Sequence, residues 1–447
     1  MSARLRHPLT AVAATVLLTV PWLGIYATGS AEAVGTLGTV AISGVAVLGA
    51  SFLLAWGAET AEKDVPRAFA IAILAVLAVA PEYAVDALYA WTAGANVGTE
   101  RGIEAANLAV ANMTGANRIL IGLGWSGIAL FTVYRTLSSA DPAVVRKPGF
   151  LRSTVQLDRN LATEIAFLLA ATAYAFVVPF GAGIGIVDTI VLVGIYAVYI
   201  GIIIRGDVED HDEQVGIPAY LQSFPKGRRI ASVLLLFGYS GAMIYTAVHP
   251  FAHGLEEIGL ALGIPPFFMI QWIAPLASES PELIVVAYLV NKARSTAGFN
   301  ALISSKLNQW TLLIGTLAVV YSIAAGSVGA LPFDEKQQAE IWITAAQSFF
   351  ALGVLANFEI SVREAVVVLV LFASQVLAEF YVIRTTAEPA ATELSILILY
   401  AYTAVYLAIG AALFVVRRDE VRGIFGRTAA NARSALPGRS KSPEHAD

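Results

Sequence analysis

Two short segments place an acidic side chain directly after a proline, inside long apolar stretches. One pair is Pro81 and Glu82, and the other is Pro281 and Glu282. Proline has no backbone N–H and displaces the carbonyl four residues earlier, so each segment frees a carbonyl oxygen near a carboxylate. Carboxylate and carbonyl oxygens in apolar surroundings suit hard cations such as Na⁺ or Ca²⁺. The two segments are therefore predicted to form a cation site.

Further potential ligands share the helical faces of these glutamates, or lie directly beside them: Asp86, Ser278 and Glu279. An acid at the centre of a bilayer costs about 2.5–3.5 kcal/mol on insertion scales, so four would cost on the order of 10 kcal/mol if unpaired. A functional role is therefore favoured. The structural alternative is a salt-bridge lattice in which Arg118 and Lys306, from the apolar stretch after each segment, neutralise part of the charge.

The composition places these segments in a membrane protein. Apolar residues make up 57% of the chain and charged residues 14%, against about 45–50% and about 25% in soluble domains. The apolar residues form blocks of roughly 20, the length that spans the hydrocarbon core as a helix. The predicted fold class is therefore an all-α polytopic membrane protein. The absence of cysteine excludes disulfides and thiolate metal sites, and the location of the basic residues argues against nucleic-acid binding.

The hydropathy pattern predicts about twelve transmembrane helices, at residues 9–28, 35–57, 67–92, 104–134, 160–181, 184–204, 229–248, 266–290, 298–324, 340–357, 363–383 and 394–416. With an even number of spans, the basic residues of the loops and of both chain ends fall on one side, which the positive-inside rule makes cytoplasmic. These include Arg4, Arg6, Arg146, Lys147, Arg152, Arg159, Arg205, Lys226, Arg228, Arg229, Lys292, Arg294 and Arg417. We expect an integral protein of the cytoplasmic membrane with both termini cytoplasmic, whose partners are membrane lipid and inorganic cations.

The acidic segments occur once in each half of the chain, on helices predicted to run in opposite directions, which indicates an inverted repeat. The predicted organisation is two inverted five-helix repeats with one additional helix at each end. In chain order, the parts are an extra N-terminal helix (1–34), the first repeat (35–205), an acidic cytoplasmic loop (206–228), the second repeat (229–385), an extra helix (386–416) and a basic, disordered cytoplasmic tail (417–447).

Three features have alternative interpretations. The first span and the Ala-Glu-Ala at 31–33 resemble a signal peptide with its cleavage site, but the apolar run is long for one and a retained helix is favoured. The acidic residues around His211 could bind a regulatory calcium ion, but the ligand spacing of an EF-hand is absent and a solvated loop is favoured. His249 and His253 could bind a metal, but they lie at a span end, where a non-functional interfacial role is favoured.

These residues resemble the cation/calcium antiporter superfamily, which comprises sodium/calcium exchangers and their proton-coupled relatives. Its hallmark is two inverted repeats, each with a Gly-Thr-Ser-x-Pro-Glu-Leu-like stretch followed by a helix with Gly-Asn and Gly-Ser-Asn. The resemblance implies that Glu82 and Glu282 are the two central metal-binding glutamates and that Ser278 stands at the family's threonine. It also implies that Asn112 and Asn117, on the helix that follows the first segment, take part in ion binding.

The sequence departs from the family pattern at several positions. Residues 77–79 are Leu-Ala-Val where the family has Gly-Thr-Ser, so two hydroxyl ligands are missing. Asp86 and Glu279 add carboxylates at positions that the family usually fills with serine. Lys306 replaces an asparagine, and Arg118 follows the asparagine of the first repeat. We expect both basic side chains to point into one cavity and to offset the additional acids.

The sequence therefore predicts a secondary active cation antiporter that works by alternating access and uses no cofactor besides the ions it carries. The expected exchange is Ca²⁺ against Na⁺ or H⁺, and the additional acids favour protons. One alternative is a sodium/proton exchanger using the same carboxylates, and another is a degenerate transporter with a structural or sensing role. An intramembrane protease is disfavoured because the chain lacks His-Glu-x-x-His, Gly-x-Gly-Asp and cysteine.

Overall fold

The computed structural model describes residues 8–65, 67–136, 140–205, 216–264 and 268–435, most of which are helical. Arg4, Arg6 and the acidic residues around His211 lie outside the described residues. The α-helices, in chain order, are α1 (Pro8–Thr28), α2 (Ala31–Ala61), α3 (Arg67–Ala95), α4 (Glu100–Ile119), α5 (Ser126–Arg135), α6 (Ala162–Ala175), α7 (Ile186–Ile203), α8 (Ile217–Gln222), α9 (Lys226–Ala261), α10 (Ala274–Ser278), α11 (Ser280–Asn291), α12 (Ser295–Asn308), α13 (Ile314–Ala325), α14 (Glu335–Leu355), α15 (Val362–Thr385), α16 (Ala390–Val416) and α17 (Arg418–Ser434). Short π-helices cover Leu120–Trp125, Met269–Ile273 and Gln309–Leu313, and 3₁₀ turns cover Arg159–Leu161 and Val178–Phe180.

The long apolar helices confirm the predicted all-α membrane fold. Within the described residues, nine helices are long and apolar enough to cross a membrane, and the bent pair Met269–Ser278 and Ser280–Asn291 can form a tenth. The spans predicted at 67–92 and 340–357 correspond to α3 and α14, which that count leaves out. The crossing number of twelve therefore stays a prediction.

A small three-stranded antiparallel sheet joins two loops, and the hydropathy pattern does not indicate it. Its strands are β1 (Val144–Val145), β2 (Thr154–Gln156) and β3 (Glu359–Ser361). Val155 of β2 pairs with Ile360 of β3, and both side chains are buried. Because each strand has only two or three residues, it is too short to show an alternating pattern.

Ion pairs show which helix ends share one face of the molecule. Arg294, between α11 and α12, pairs with Glu59 at 2.5 Å and with Glu62 at 2.9 Å, around the end of α2. Arg229, in the first turn of α9, pairs with Asp64 at 2.6 Å, and its guanidinium holds the pKa of that carboxyl below its usual range. The start of α3 follows Asp64 and therefore lies near the end of α11. The two helices with Pro-Glu pairs thus run in opposite directions, which supports the inverted repeat.

These pairs define two faces of the helix bundle. We call the end with Arg229 and Arg294 the basic face. At the other end, which we call the acidic face, Thr36 at the start of α2 donates to Glu257 at 2.8 Å. On the same face Asn107 donates to Asp334 at 2.8 Å, next to the start of α14. The charge difference between the faces agrees with the predicted sorting of basic residues to one side.

Both repeats contain a helix that is interrupted by a π-helix at equivalent positions. The first π-helix begins three residues after Asn117, and the one after α12 begins three residues after Lys306. A π-helix has wider turns than an α-helix, and such insertions are frequent at functional sites. Asn117 and Lys306 thus occupy equivalent positions, and they contact each other: Lys306 Nζ donates to Asn117 Oδ1 at 2.8 Å.

The first helix packs into the bundle. The Thr19 hydroxyl lies 2.5 Å from the hydroxyl of Tyr239 on α9, and Trp22 Nε1 donates to Thr246 on the same helix at 3.2 Å. Thr19 and Trp22 are both buried. These contacts attach α1 to α9.

The prediction of a disordered tail is wrong for α17, which packs against α6. Thr428 Oγ1 donates to the Ala162 carbonyl at 3.1 Å, and Asn431 Nδ2 donates to Thr163 Oγ1 at 3.0 Å. The many arginines of this segment are typical of a solvated tail, whereas only a few of its side chains attach the amphipathic helix to α6. The remainder of the tail, 436–447, lies outside the described residues.

Replacing Ile424 by glutamate should release α17 from α6. Ile424 is 3% exposed, and burying such a side chain contributes about 1.5–3 kcal/mol. Brief trypsin digestion should therefore cleave the variant after Arg427 faster than wild type, as read by mass spectrometry. Phe425→Glu, at a neighbouring side chain that is 49% exposed, is the matched control and should behave as wild type. Equal protection in both variants would show that this contact does not hold α17 in place.

Candidate ion-binding site

Helix α3 presents Glu82 and Asp86 on one buried face, as their four-residue spacing predicts. Glu82 Oε2 accepts a hydrogen bond from Gln309 Nε2 at 3.0 Å. Asp86 Oδ1 accepts one from Asn112 Nδ2 at 2.9 Å. Gln309 belongs to the second repeat and Asn112 to the first, so amide donors from both halves of the chain orient the two acids.

A break between α10 and α11 positions the second acidic segment. The two parts of this broken helix meet at an angle of 46°, with Glu279 between them. Glu279 Oε1 accepts a hydrogen bond from Gln309 Nε2 at 2.5 Å, and Glu282 Oε2 accepts one from Ser305 Oγ at 2.6 Å. Pro281 stands in the first turn of α11, where its missing N–H disturbs no helical hydrogen bond. At this break, Glu279 and Glu282 contact Gln309 and Ser305, which follow later in the second repeat.

The three glutamates form one cluster. Gln309 donates to both Glu82 and Glu279, and the Glu279 carboxyl lies within hydrogen-bond reach of those of Glu82 and Glu282. Among the residues that the structure describes, one oxygen of each of these carboxyls, and one of Asp86, is buried without a hydrogen-bond partner. Adjacent buried carboxylates repel one another and are stable only when a cation or protons neutralise them. The arrangement therefore suits the binding of a cation or of protons.

Neutral oxygens would have to complete the shell of a bound metal ion. In the described part of the chain, no three His, Asp or Glu side chains converge on one metal position in this conformation. Ca²⁺ takes about 6–8 oxygen ligands. Asn112 and Ser278 supply such oxygens, and both line a cavity of about 100 Å³ beside the acids. Tyr89, His249 and His253 line the same cavity, so the histidines interpreted as interfacial lie next to predicted ligands.

Lys306 is completely buried in the second repeat, close to this cluster. Its ammonium donates to the side-chain oxygen of Asn117 at 2.8 Å and to its backbone oxygen at 3.3 Å. The ammonium also lies 4.3 Å from the centre of the Trp310 ring, a cation–π contact. Glu279 and Glu82 act on it electrostatically. Lys306 therefore uses the amide oxygen of a predicted ion ligand and stands beside the acids that it was expected to offset.

The expectation that Arg118 and Lys306 point into one cavity is wrong for Arg118. Its guanidinium pairs with Glu340 of α14, donates to Gln375 Oε1 at 3.1 Å and stacks over Trp272. One residue of α-helix turns the side-chain direction by about 100°, so Arg118 points away from the direction taken by Asn117. The counter-ion of Arg118 is consequently Glu340 and not one of the four central acids.

Ser305 and Gln309 orient the acids, and neither was among the predicted site residues, although Ser305 falls on the serine of the family's Gly-Ser-Asn. They are four residues apart, on α12 and on the π-helix that follows it, so both face the acidic cluster. A polar pair at this spacing inside an apolar helix is the sequence signal that could have identified them. Beside Gln309, Asn308 Oδ1 accepts a hydrogen bond from the Tyr83 hydroxyl of α3 at 2.6 Å.

Replacing Asp86 by asparagine should weaken Ca²⁺ binding. The change removes one negative charge beside the glutamate cluster and keeps nearly the same side-chain shape. We expect the dissociation constant for ⁴⁵Ca²⁺ binding to purified protein to rise by about ten-fold or more, which corresponds to about 1.4 kcal/mol. Glu164→Gln is the matched control, because Glu164 is also a buried acid but bonds Tyr199, outside the cluster. Equal Ca²⁺ affinities of the two variants would show that Asp86 is not part of the ion-binding site.

Comparison with known proteins agrees with this geometry. The sequence profile of the sodium/calcium exchanger protein family matches residues 35–205 and 232–381. Among solved structures, the H⁺/Ca²⁺ exchanger CAX is 41% identical, with a TM-score of 0.79, and the match covers 95% of this chain and 98% of that chain. The sodium-calcium exchanger NCX_Mj, soaked with Na⁺ and Sr²⁺, is 16% identical, with a TM-score of 0.54 over 76% of this chain and 98% of that chain, which shows a shared fold. Comparison with curated protein sequences gives no significant match.

The family match and the site fall on the same parts of the chain. The two matched stretches contain Glu82 and Glu282, one in each. They also coincide closely with the two predicted repeats, and the identity with CAX extends over nearly the whole chain. The chain therefore belongs to the sodium/calcium exchanger family and is a membrane cation antiporter, not an enzyme.

Proposed function

We propose that this antiporter exchanges Ca²⁺ for protons by alternating access, with Glu82 and Glu282 at the centre of the exchange site. The observation that carries the proposal is the interaction of three buried glutamates, each of which has one oxygen without a hydrogen-bond partner among the residues that the structure describes. Either one divalent cation or protons can neutralise such a cluster. The identity of 41% with a structure described as an H⁺/Ca²⁺ exchanger supports the same pair of ions.

The metal-bound state would combine carboxylates with neutral oxygens from both repeats. Glu82 and Glu282 would bind the ion directly, because they come from opposite repeats and belong to one cluster. The remaining proposed ligands are Asp86, Asn112, Ser278 and Glu279, together with Asn117, whose amide oxygen could bind the ion only after Lys306 moves away from it. A mixture of carboxylate, amide and hydroxyl oxygens fits Ca²⁺, which accepts about 6–8 oxygens in flexible geometry.

Protons are favoured over Na⁺ as the counter-ion because neutral ligands are scarce. Residues 77–79 supply no hydroxyl group, and Lys306 already occupies the amide oxygen of Asn117. Each missing oxygen weakens Na⁺ binding, whereas Asp86 and Glu279 add groups that can hold a proton. A carboxyl that holds a proton cannot coordinate the metal, so the two ions compete for one site. A sodium/proton exchanger that uses the same acids is the second candidate.

Alternating access requires contacts that break when the site opens to one side. The basic face is the proposed cytoplasmic side, because the positive-inside rule places arginines there. On that face Arg294 joins the second repeat to Glu59 and Glu62 of the first. The cavity at His249 and His253 would give the site access from the other face. Opening toward the cytoplasm would then separate Arg294 from its two glutamates.

An imposed pH gradient should drive ⁴⁵Ca²⁺ uptake into vesicles holding the purified protein better than an imposed Na⁺ gradient. The physical reason is the competition between proton and metal for the same carboxyls. Glu282→Gln is the inactive control under both gradients.

Other outcomes of this measurement separate the alternatives. Uptake that needs Na⁺ and ignores pH would contradict proton coupling. Uptake of ²²Na⁺ driven by pH, without Ca²⁺ movement, would favour the sodium/proton exchanger. The absence of any ion flux would favour a structural or sensing role.

Replacing Lys306 by asparagine should change ion selectivity. The variant loses a buried positive charge and frees the amide oxygen of Asn117 for ion binding. We expect the ratio of Na⁺-driven to pH-driven ⁴⁵Ca²⁺ uptake to rise by about five-fold or more, the low end of typical coupling between sites. Lys292→Asn, at an exposed lysine of the basic face, is the control. A variant that only expresses less, with an unchanged ratio, would show that Lys306 has a structural role.

A further inference from the structure

A second group of buried charged side chains lies beside α4, apart from the four central acids. Arg118 pairs with Glu340 and donates to Gln375, whose Nε2 donates to Glu379 Oε2 at 3.0 Å. Lys336 Nζ lies 3.3 Å from Glu379 Oε1. Except for Lys336, these residues are at most 1% exposed. We call the five residues the peripheral network.

The peripheral network extends from the helix interior to the acidic face. Helix α14 begins next to Asp334, and Glu340 lies about 8 Å along it at 1.5 Å per residue. Lys336, in the first turn of α14, has a side chain that is 13% exposed. At the inner end, Arg118 directly follows Asn117, which Lys306 contacts. One series of contacts thus joins the acidic face to the central site.

The chemistry of the peripheral network suits a proton and not a metal ion. Arg118 and Lys336 already pair with the two acids, and two positive groups in contact with the carboxylates repel a further cation. Within the described residues, however, Glu340 Oε1 is buried without a hydrogen-bond partner, and the unbonded side-chain amide of Gln271 lies near it. Most buried polar atoms in proteins have a hydrogen-bond partner, so an open position on an acid that already pairs with arginine needs a physical explanation. The open lone pair can accept a proton that arrives from the acidic face.

We propose that Glu340 and Glu379 form a second proton-binding site, whose protonation lowers the cation affinity of the central site. The inference rests on the proposed exchange of Ca²⁺ for protons. When Glu340 takes up a proton, Arg118 loses its counter-ion, and an unbalanced positive charge remains beside Asn117 and near Lys306. This charge raises the electrostatic potential at the central site and opposes a bound cation.

The direction of this effect is the one that an antiporter needs. Protons that reach the network from the acidic face favour release of Ca²⁺ from the central site, and loss of those protons restores the affinity. Besides Arg118 and Lys336, the titratable groups that act on this region include Lys306, which interacts electrostatically with Arg118, and Tyr406 of α16, a phenol near Arg118. Glu340 and Glu379 are the acids of the peripheral network, and each loses its negative charge when it takes up a proton.

The test is the Ca²⁺ dissociation constant of the purified full-length protein, measured with ⁴⁵Ca²⁺ from acidic to alkaline pH. Glu340→Gln imitates a permanently protonated glutamate. Its affinity should match wild type at acidic pH and should be weaker by about five-fold or more at alkaline pH. Arg118→Gln/Glu340→Gln removes both charges, so it should recover most of the affinity with a shallower pH dependence. Glu335→Gln, an exposed acid on the same helix, is the control and should follow wild type.

Several outcomes would overturn the inference. One is wild-type affinity of Glu340→Gln at alkaline pH, and another is a loss of equal size at every pH, as a structural role predicts. If Glu340→Gln does not fold, the double variant and Glu379→Gln decide, and a wild-type pH dependence in both would overturn the inference. Wild-type binding that ignores pH would overturn the proposed proton coupling as well. A pH-dependent wild type with unaffected variants overturns this inference alone.

Discussion

Four carboxyl groups, those of Glu82, Asp86, Glu279 and Glu282, are buried among apolar helices. Each ionised acid in such a place costs about 2.5–3.5 kcal/mol on insertion scales, and mutual contact adds repulsion. Donors of the second repeat bond one oxygen of each glutamate, and the described part of the chain offers the other oxygen no hydrogen-bond partner. Lys306 is the nearby ammonium that acts on Glu279 and Glu82, and one positive charge cannot balance four carboxylates, so the acids need a cation or protons. The need of the buried acids for a neutralising cation or protons is the physical link between the fold and ion exchange.

Irregular helices are what bring these side chains together. Glu279 lies at the break between α10 and α11, and its carboxyl accepts a hydrogen bond from Gln309 there. The π-helices that follow Asn117 and Lys306 occur at equivalent positions in the two repeats. The repeats differ at this point, because one has an amide where the other has an ammonium. That difference makes the centre asymmetric, and it removes a neutral oxygen that a sodium site would use.

The parts of the structure that depend on local pattern could be predicted from the sequence. Helix positions follow from blocks of apolar residues, and the shared face of Glu82 and Asp86 follows from their spacing. The choice of partner by long polar side chains could not be predicted, because it depends on helices distant in sequence. Arg118 bonds Glu340, which is 222 residues away. Gln309 bonds Glu82 across 227 residues. The docking of α17 was missed for the same reason, since a few buried side chains outweigh a polar composition.

The central claim is that Ca²⁺ and protons compete for one set of buried carboxyls. Isothermal titration calorimetry of Ca²⁺ binding, performed in two buffers with different heats of ionisation, tests it directly. Protons displaced by the metal are taken up by the buffer, so the observed heat must then depend on the buffer. We predict different binding heats in the two buffers at the same pH, with protons released for each Ca²⁺ bound. Identical heats in both buffers would show that Ca²⁺ displaces no protons and would contradict the account.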